Sequence, residues 1–443
     1  MAEKSKRTGM WSLLLMVATL IILNADQMVM SPSINAIEKD FGVTDREIGF
    51  ITSAFTVIGA LISLVWGYFG DKYNRKKLLF FSVLVGEIPC LLSAFSMNFT
   101  MLFIFRALTG IGVGASFPLV FSMAGDMFEE KSRPKAMAII STSIAIGQIV
   151  GMAVSGFTNT ITPLTWRLPF LLVSIPNFII IIIFSLLVEE PKRGSKEYAI
   201  GELVESGIDY KKKISAGDYL NLVKIKTNFL LFIQGVLGTI PWGAIPYFLV
   251  TFFEREKNIP PSMGTIIFLI FGVGNLFGIL TGGYIGNVLY NIRKGWVSLF
   301  CGITTALGAF LAITTLNFNY SDQKFYLLSI LGFFTAFTLS LTGPNVKTLL
   351  INVNKPEDRA RIFSVFNLTD SLGTGIGQLF AGSISAGLAL KGISNSLGKA
   401  LNYSALFWFG CAILLCILAL FVSKDVQKLK NYFSNLKIQM LKK

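Results

Sequence analysis

The chain has 443 residues, of which 53% are hydrophobic and only 14% are charged, and its formal net charge is +14. Soluble domains carry about a quarter charged residues, and one soluble core stops growing near roughly 250 to 300 residues. The composition therefore excludes a single water-soluble globular domain. The chain also lacks histidine, so any proton chemistry has to use carboxylates.

The apolar residues are gathered in twelve long runs. A membrane-spanning helix needs about 20 such residues, so each run predicts one transmembrane helix. The runs are 11–34, 47–69, 78–97, 100–125, 136–159, 167–188, 228–254, 262–286, 295–316, 325–351, 361–389 and 400–422. The longest polar interruption divides them six and six. It predicts an N-terminal six-helix bundle (1–188), a cytoplasmic central loop (189–227), a C-terminal six-helix bundle (228–422) and a basic cytoplasmic tail (423–443).

Lysine and arginine are distributed unevenly between the loops. With the N-terminus in the cytoplasm, 29 of the 39 basic residues fall in cytoplasmic segments and eight in the opposite loops. This bias predicts that both termini are cytoplasmic, with the protein in the inner (cytoplasmic) membrane of the cell. The basic residues are expected to contact anionic lipid headgroups, which explains the net positive charge, so no nucleic acid partner is expected. The tail spaces its apolar residues by three or four, which fits an interfacial helix as well as a disordered segment.

Two sequence patterns recur in both halves. The segment 67–71 (Gly-Tyr-Phe-Gly-Asp) recurs as 283–287 (Gly-Tyr-Ile-Gly-Asn), each at the cytoplasmic end of the second helix of its half. An arginine followed by two glycines recurs with identical spacing at the fifth helix of each half, as Arg133, Gly147, Gly151 and as Arg359, Gly373, Gly377. Parallel repeats of this kind are typical of carriers in which one half rocks against the other around a site near the midplane.

The loop between the second and third runs carries the clearest motif. Residues 67–77 read Gly-Tyr-Phe-Gly-Asp-Lys-Tyr-Asn-Arg-Lys-Lys and resemble the signature loop of the major facilitator superfamily. With the twelve runs and the six-plus-six division, the resemblance covers nearly the whole chain. It implies an all-α membrane protein with twelve transmembrane helices in two pseudo-symmetric six-helix bundles.

Within that superfamily, several residues resemble those of spinster-type carriers. They are Asn74, Asp26 near Asn24, the segment 106–112 (Arg-Ala-Leu-Thr-Gly-Ile-Gly), and Trp242 with Pro246. This resemblance implies export of lysophospholipids or sphingolipids. The chain departs from the spinster pattern at Val113, where a glutamate is usual, and at Gln27, where an arginine is usual.

Four ionisable residues lie well inside the predicted spans: Asp26, Glu87, Arg106 and Asp370. Each such group costs about 2.5 to 3.5 kcal/mol on insertion scales, which makes it a functional candidate. At 1.5 Å per residue, Asp26 and Arg106 lie roughly 12 Å and 9 Å from the outer surface, so they can meet. We expect a pair whose strength depends on the protonation of Asp26, with Glu87 as the second proton-coupling carboxylate. The alternative is a static ion pair that fixes helix packing.

Substrate contacts are expected from both halves. Asp370 precedes a run of glycines in its helix, Trp242 and Tyr247 offer aromatic surface, and Gln27 adjoins Asp26. For Asp370 the alternative is an interhelical hydrogen bond, and for the two aromatic residues it is an interfacial belt or core packing.

The cytoplasmic loops supply gating candidates. Asp71 resembles the superfamily residue that bonds across the domain interface when the carrier faces outward. Arg75 is predicted to pair with Asp126, with Arg133 nearby.

The sequence contains no Walker-type phosphate loop, so ATP is not the expected energy source. The four cysteines fall within apolar runs without metal-like spacing, so we assign them to packing and expect no metal, cofactor or catalytic site. The prediction is a monomeric secondary active transporter, not an enzyme, that moves a small organic or lipid-like solute by alternating access with proton coupling. The alternatives are a passive facilitator, a lysolipid exporter or scramblase, and a non-transporting receptor on the same fold.

Overall fold

A computed structural model describes residues 2–128, 133–158, 166–191, 222–319, 324–354 and 359–441, and every regular element in these ranges is helical. The helices before residue 192 are α1 (Ala2–Met28), α2 (Ile34–Phe41), α3 (Asp45–Lys72), α4 (Arg75–Ser93), α5 (Phe99–Met127), α6 (Arg133–Thr158) and α7 (Leu168–Leu187). Those after residue 221 are α8 (Lys226–Lys257), α9 (Pro261–Ile292), α10 (Lys294–Leu316), α11 (Phe325–Ser340), α12 (Gly343–Val353), α13 (Arg359–Leu390) and α14 (Ser396–Leu441).

Each of the twelve predicted runs coincides with one helix or one helix pair. The run 325–351 is divided into α11 and α12, and the short helix α2 follows α1 without having been predicted. Within the described ranges, nine stretches are long and apolar enough to cross a membrane. The helices α4, α6 and α13 fall outside that set. In α4 the reason is visible in the sequence, since it begins Arg-Lys-Lys and contains Glu87.

Polar side chains set the starts of several helices. The side chain of Asn74 accepts a hydrogen bond from the Lys77 backbone nitrogen at 2.9 Å, and Asn98 does the same for Met101 at 2.9 Å. These side chains satisfy backbone donors that a helix leaves unpaired in its first turn. Asn74, one of the spinster-like residues, is therefore the N-cap of α4, and it fixes where the signature loop ends.

The chain divides into two compact units, Met1–Lys212 with Phe253–Thr265, and Lys213–Phe252 with Ile266–Lys443. In the first unit α1 packs on α6 and α7, and α5 packs on α3 and α4. In the second, α14 packs on α10 and α13. Each unit buries its own apolar cluster, the first including Leu20, Leu119 and Phe184, the second Leu231 and Leu415.

The glycines of the predicted repeat make the same contact in both units. A Cβ atom added at any of them would collide with a backbone carbonyl of the neighbouring helix. The pairs are Gly147 with Ile21, Gly151 with Ala25, Gly373 with Val236, and Gly377 with Ile240. Small residues allow this close backbone approach within a membrane. The fifth helix of each half is thus held against the first by an equivalent pair of glycines four residues apart.

The question left open for the C-terminal tail is resolved in favour of a helix. Helix α14 continues from the last predicted span through to Leu441. Its residue Asp425 is buried and accepts hydrogen bonds from the Thr227 backbone nitrogen at 3.0 Å and hydroxyl at 2.8 Å. The first turn of the tail is therefore tied to the start of α8.

Candidate functional site

Four helices of the first unit bring polar residues together in its interior. Asp26 comes from α1, Glu87 and Cys90 from α4, Arg106 from α5 and Asn177 from α7. All five side chains are buried, with Arg106 the most exposed at 3%. One carboxylate oxygen of Asp26, one of Glu87 and the Cys90 Sγ all lie within 4.8 Å of one another. We call these five residues the inner polar cluster.

The predicted meeting of Asp26 and Arg106 takes a different form from a carboxylate–guanidinium pair. Arg106 Nη2 donates to the backbone carbonyl of Asp26 at 2.5 Å, while the Asp26 carboxylate oxygen Oδ1 accepts from Cys90 Sγ at 3.2 Å. The Arg106 guanidinium lies 4.6 Å from the ring centre of Phe55 and 5.6 Å from that of Phe170. Attraction to the two ring faces helps to hold the cation in an apolar region.

Glu87 is bonded to a neighbouring helix and lies close to Asp26. Its Oε1 accepts a hydrogen bond from Asn177 Nδ2 on α7, which is the interhelical bond expected of a packing residue. One of its carboxylate oxygens also lies within 4.8 Å of ligand atoms of Asp26 and Cys90, and its coupling role stays a prediction. Two members of the cluster, Cys90 and Asn177, were missed from the sequence. Asn177 was detectable as a polar residue inside the apolar run 168–187, whereas Cys90 was assigned to packing alone.

Two carboxylates and a thiol are groups that can ligate metal ions. The single positive charge of Arg106 beside them opposes the binding of a multivalent metal cation. The prediction of no metal site stays a prediction.

The substrate candidate Gln27 belongs to a chain of side-chain amides next to this cluster. Gln27 Nε2 donates to Asn24 Oδ1 at 3.1 Å, and Gln148 Nε2 on α6 donates to Gln27 Oε1 at 3.3 Å. Asn24 in turn donates to the Leu20 carbonyl at 2.7 Å. These contacts link α1 to α6, so Gln27 has a packing role in this structure.

The other substrate candidates lie in the second unit and do not form one cluster by direct contact. Asp370 on α13 accepts a hydrogen bond at its backbone carbonyl from Thr239 Oγ1 at 2.8 Å. Within the part of the chain that the structure describes, its Oδ1 has no hydrogen-bond partner. Trp242 packs edge-on against Phe271 at 5.8 Å and Trp408 at 6.0 Å.

Tyr247 on α8 is buried at 2% exposure, and its ring lies 5.4 Å from that of Phe248. A substrate could reach this side chain only after the surrounding residues move.

The signature loop contains a buried arginine. Arg75 is 2% exposed, and its Nη1 lies 2.5 Å from Asp126 Oδ2, the contact that the sequence suggested. Its Nε also binds Glu190 Oε1 at 3.0 Å, a partner that the sequence did not reveal. The side chains of the other two gating candidates, Asp71 and Arg133, lie outside the described residues. The gating roles therefore stay predictions.

A second charged cluster lies at the end of α8, where the sequence shows only separate charged residues in loops. Arg255, in the last turn of α8, binds both carboxylate oxygens of Asp45 at 3.0 Å. It also binds Glu38 Oε2 at 2.7 Å and Asn35 Oδ1 at 2.6 Å. All four residues belong to the first unit. The end of α8 is thus fastened to α2 and to the start of α3.

Comparison with known proteins agrees with this architecture. The family model of the Major Facilitator Superfamily matches residues 15–320 and 229–435. The chain belongs to the major facilitator superfamily.

Three individual proteins illustrate its place in the superfamily. An uncharacterised MFS-type transporter of Bacillus subtilis, YceJ, is 22% identical over 83% of this chain and 87% of its own length. Protein spinster of Drosophila melanogaster is 23% identical over 81% of this chain and 59% of its own length. The crystal structure of a bacterial homologue of the human lysosomal transporter spinster, inward-facing and unoccupied, is 18% identical. It covers 95% of this chain and 97% of its own, with a TM-score of 0.75.

Membership of the superfamily confirms the predicted fold class and the prediction of a transporter, not an enzyme. The matches to protein spinster and to the bacterial spinster homologue bear out the spinster-like resemblance. This superfamily member is a multi-pass membrane protein that carries a small-molecule substrate.

Proposed function

We propose that this protein is a secondary active carrier that moves a small organic or amphipathic solute by alternating access, with proton coupling at Asp26. The observation that carries the proposal is the burial of Asp26, at 0% exposure, beside the cation of Arg106. An ionisable group at such depth is costly, and inside a carrier it marks an ion pathway or proton relay. Because the chain has no histidine, a carboxylate is the residue able to take up and release a proton near neutral pH.

The remaining assignments follow from the same proposal. Gln27, Asp370, Trp242 and Tyr247 are the candidate substrate contacts, since they supply amide, carboxylate and aromatic surface within the spans. The charge bias between loops supports an inner-membrane orientation with both termini in the cytoplasm. A monomer suffices, because both repeats lie in one chain. Lysolipid export is the second candidate function, which the likeness to spinster favours.

The test begins with a thermal-shift screen of metabolites and lysolipids against the purified protein, which identifies a solute that stabilises it. Protein reconstituted in liposomes with an internal pH-sensitive dye is then given that solute. We expect solute-driven proton movement that Asp26→Asn abolishes. Asp40→Asn, a matched change at a carboxylate that is 42% exposed, serves as the control and should behave as wild type.

Solute entry without any dye response would identify a passive facilitator. A full dye response in Asp26→Asn would place the coupling residue elsewhere. Because the screen includes lysolipids, it also decides between the two substrate classes.

A further inference from the structure

Three oxygen atoms of the inner polar cluster have no hydrogen-bond partner among the described residues. They are Asp26 Oδ2, Glu87 Oε2 and Asn177 Oδ1, and all three residues are 0% exposed. A buried acceptor without a donor costs about 1 to 3 kcal/mol, and more when it is charged. Each carboxyl group has one oxygen already bonded, by Cys90 Sγ or Asn177 Nδ2. These three oxygens therefore lack a donor or a cation.

The charged groups on the packed helices determine how many positive charges a cation at this cluster would carry. Helix α1 contributes Asp26, α4 contributes Glu87 and the neutral thiol of Cys90, and α5 contributes Arg106. Helix α7 contributes only the neutral Asn177, while α6 reaches α1 through amide side chains. With both carboxyl groups ionised, the cluster has one more negative charge than positive. One monovalent cation makes it neutral, whereas a divalent ion would leave an excess positive charge next to a guanidinium.

We propose that Asp26 and Glu87 form a single site that shares one proton, so that Glu87 belongs to the coupling site as fully as Asp26 does. Two neighbouring carboxylates in a dry environment resist ionising together, and their protons then belong to the pair. The proton on either carboxyl group supplies the donor that the free oxygens lack. When one carboxylate is removed, the negative charge of the other is balanced by Arg106, so the remaining carboxylate stays ionised and binds no proton. This inference rests on the proposed proton coupling and adds a second carboxylate to it.

Proton release from purified protein tests the sharing without any transported solute. The protein in detergent is titrated between about pH 5 and pH 9, a range that includes the raised titrations seen for buried carboxyl groups, and the released protons are counted with an indicator dye. Asp26→Asn, Glu87→Gln and the double variant are compared with wild type. We expect wild type to release one proton more than the double variant, and each single variant to release as few as the double.

Independent titration of the two residues would give a different pattern. Glu87→Gln would release as many protons as wild type, or each single variant would release one proton fewer than wild type and the double variant two fewer. Either result would overturn the shared site. Asp370→Asn is the matched control, because it removes a carboxylate of the other unit. The decrease in released protons caused by Asp370→Asn should add to the decrease caused by Asp26→Asn, because the effects of separate sites are additive and those of interacting sites are not.

A second measurement covers the case in which Glu87→Gln does not fold. Dicyclohexylcarbodiimide reacts with protonated carboxyl groups in apolar surroundings, and mass spectrometry locates the product. We expect labelling of Glu87 in wild type to be lost in Asp26→Asn, because Glu87 is then ionised opposite Arg106. Persistent labelling of Glu87 in that variant would contradict the proposal.

Sodium is the other monovalent cation that the charge count allows. Repeating the titration with sodium in place of choline, at equal ionic strength, should leave the number of released protons unchanged. Sodium-dependent displacement of the proton would overturn the assignment of the proton as occupant. The outcome is separable from the proposed function: unshared titration with transport still lost in Asp26→Asn would refute only the role of Glu87.

Discussion

Replacing Arg75 by lysine tests a buried residue of the signature loop that has several hydrogen-bond partners. The guanidinium binds Asp126 at 2.5 Å and Glu190 at 3.0 Å. It also binds the Ser122 hydroxyl at 2.9 Å and the Pro191 carbonyl at 2.9 Å. Lysine keeps the charge but presents one compact nitrogen instead of a planar fork. It cannot reach acceptors that surround the guanidinium on several sides.

The burial of the partners sets the size of the effect. Breaking a buried ion pair costs about 3 to 5 kcal/mol because the remaining charge is left uncompensated. Here Asp126 and Glu190 are 17% and 24% exposed, and the lysine still neutralises part of their charge. We therefore expect Arg75→Lys to lower the free energy of unfolding by about 2 to 3 kcal/mol.

Thiol labelling supplies the assay. Cys90, Cys301 and Cys411 are buried, so a thiol-reactive dye reports unfolding in a denaturant titration in detergent. Lys77→Arg, at an exposed position of the same loop, is the matched control and should change stability by less than about 0.5 kcal/mol. If Arg75→Lys lost no more stability than this control, the buried arginine would not be holding α4, α5 and the segment after α7 together.

Two further changes test packing and the charged cluster at the end of α8. Gly377→Ala should destabilise the second unit by about 1 to 2 kcal/mol in the same unfolding assay, because the added methyl group meets the Ile240 carbonyl. Gly387→Ala, in open space on the same helix, should stabilise the unit by up to about 1 kcal/mol. Equal effects of the two substitutions would refute the close contact. Arg255→Gln should lower the apparent melting temperature, because Asp45 and Glu38 lose the guanidinium that binds them. Adding Asp45→Asn should restore part of the loss, and a purely additive double variant would count against the ion pair.

Hydropathy and spacing alone determined the helices and the repeat. A bilayer accepts only segments of about 20 apolar residues with satisfied backbones, so the spans had to appear as long apolar runs. Glycines that permit close backbone contact recur at the same place in both repeats, so the spacing alone identifies Gly151 and Gly377 as equivalents. The pairing of Arg75 with Asp126 was also within reach, since both lie at cytoplasmic helix ends.

Only the tertiary structure decided which side chains meet inside the units. The apolar residues of α5 are spread around the helix without a preferred face, so its sequence does not specify its rotation. Depth alone could not show that Arg106 bonds the Asp26 backbone carbonyl. Cys90 and Asn177 join the cluster from α4 and α7, across 64 and 90 residues of chain from their partners. Arg255 finds Asp45 across 210 residues. Such contacts depend on how each helix is rotated and on which helices pack against it. A bilayer constrains both far less strictly than it constrains helix length.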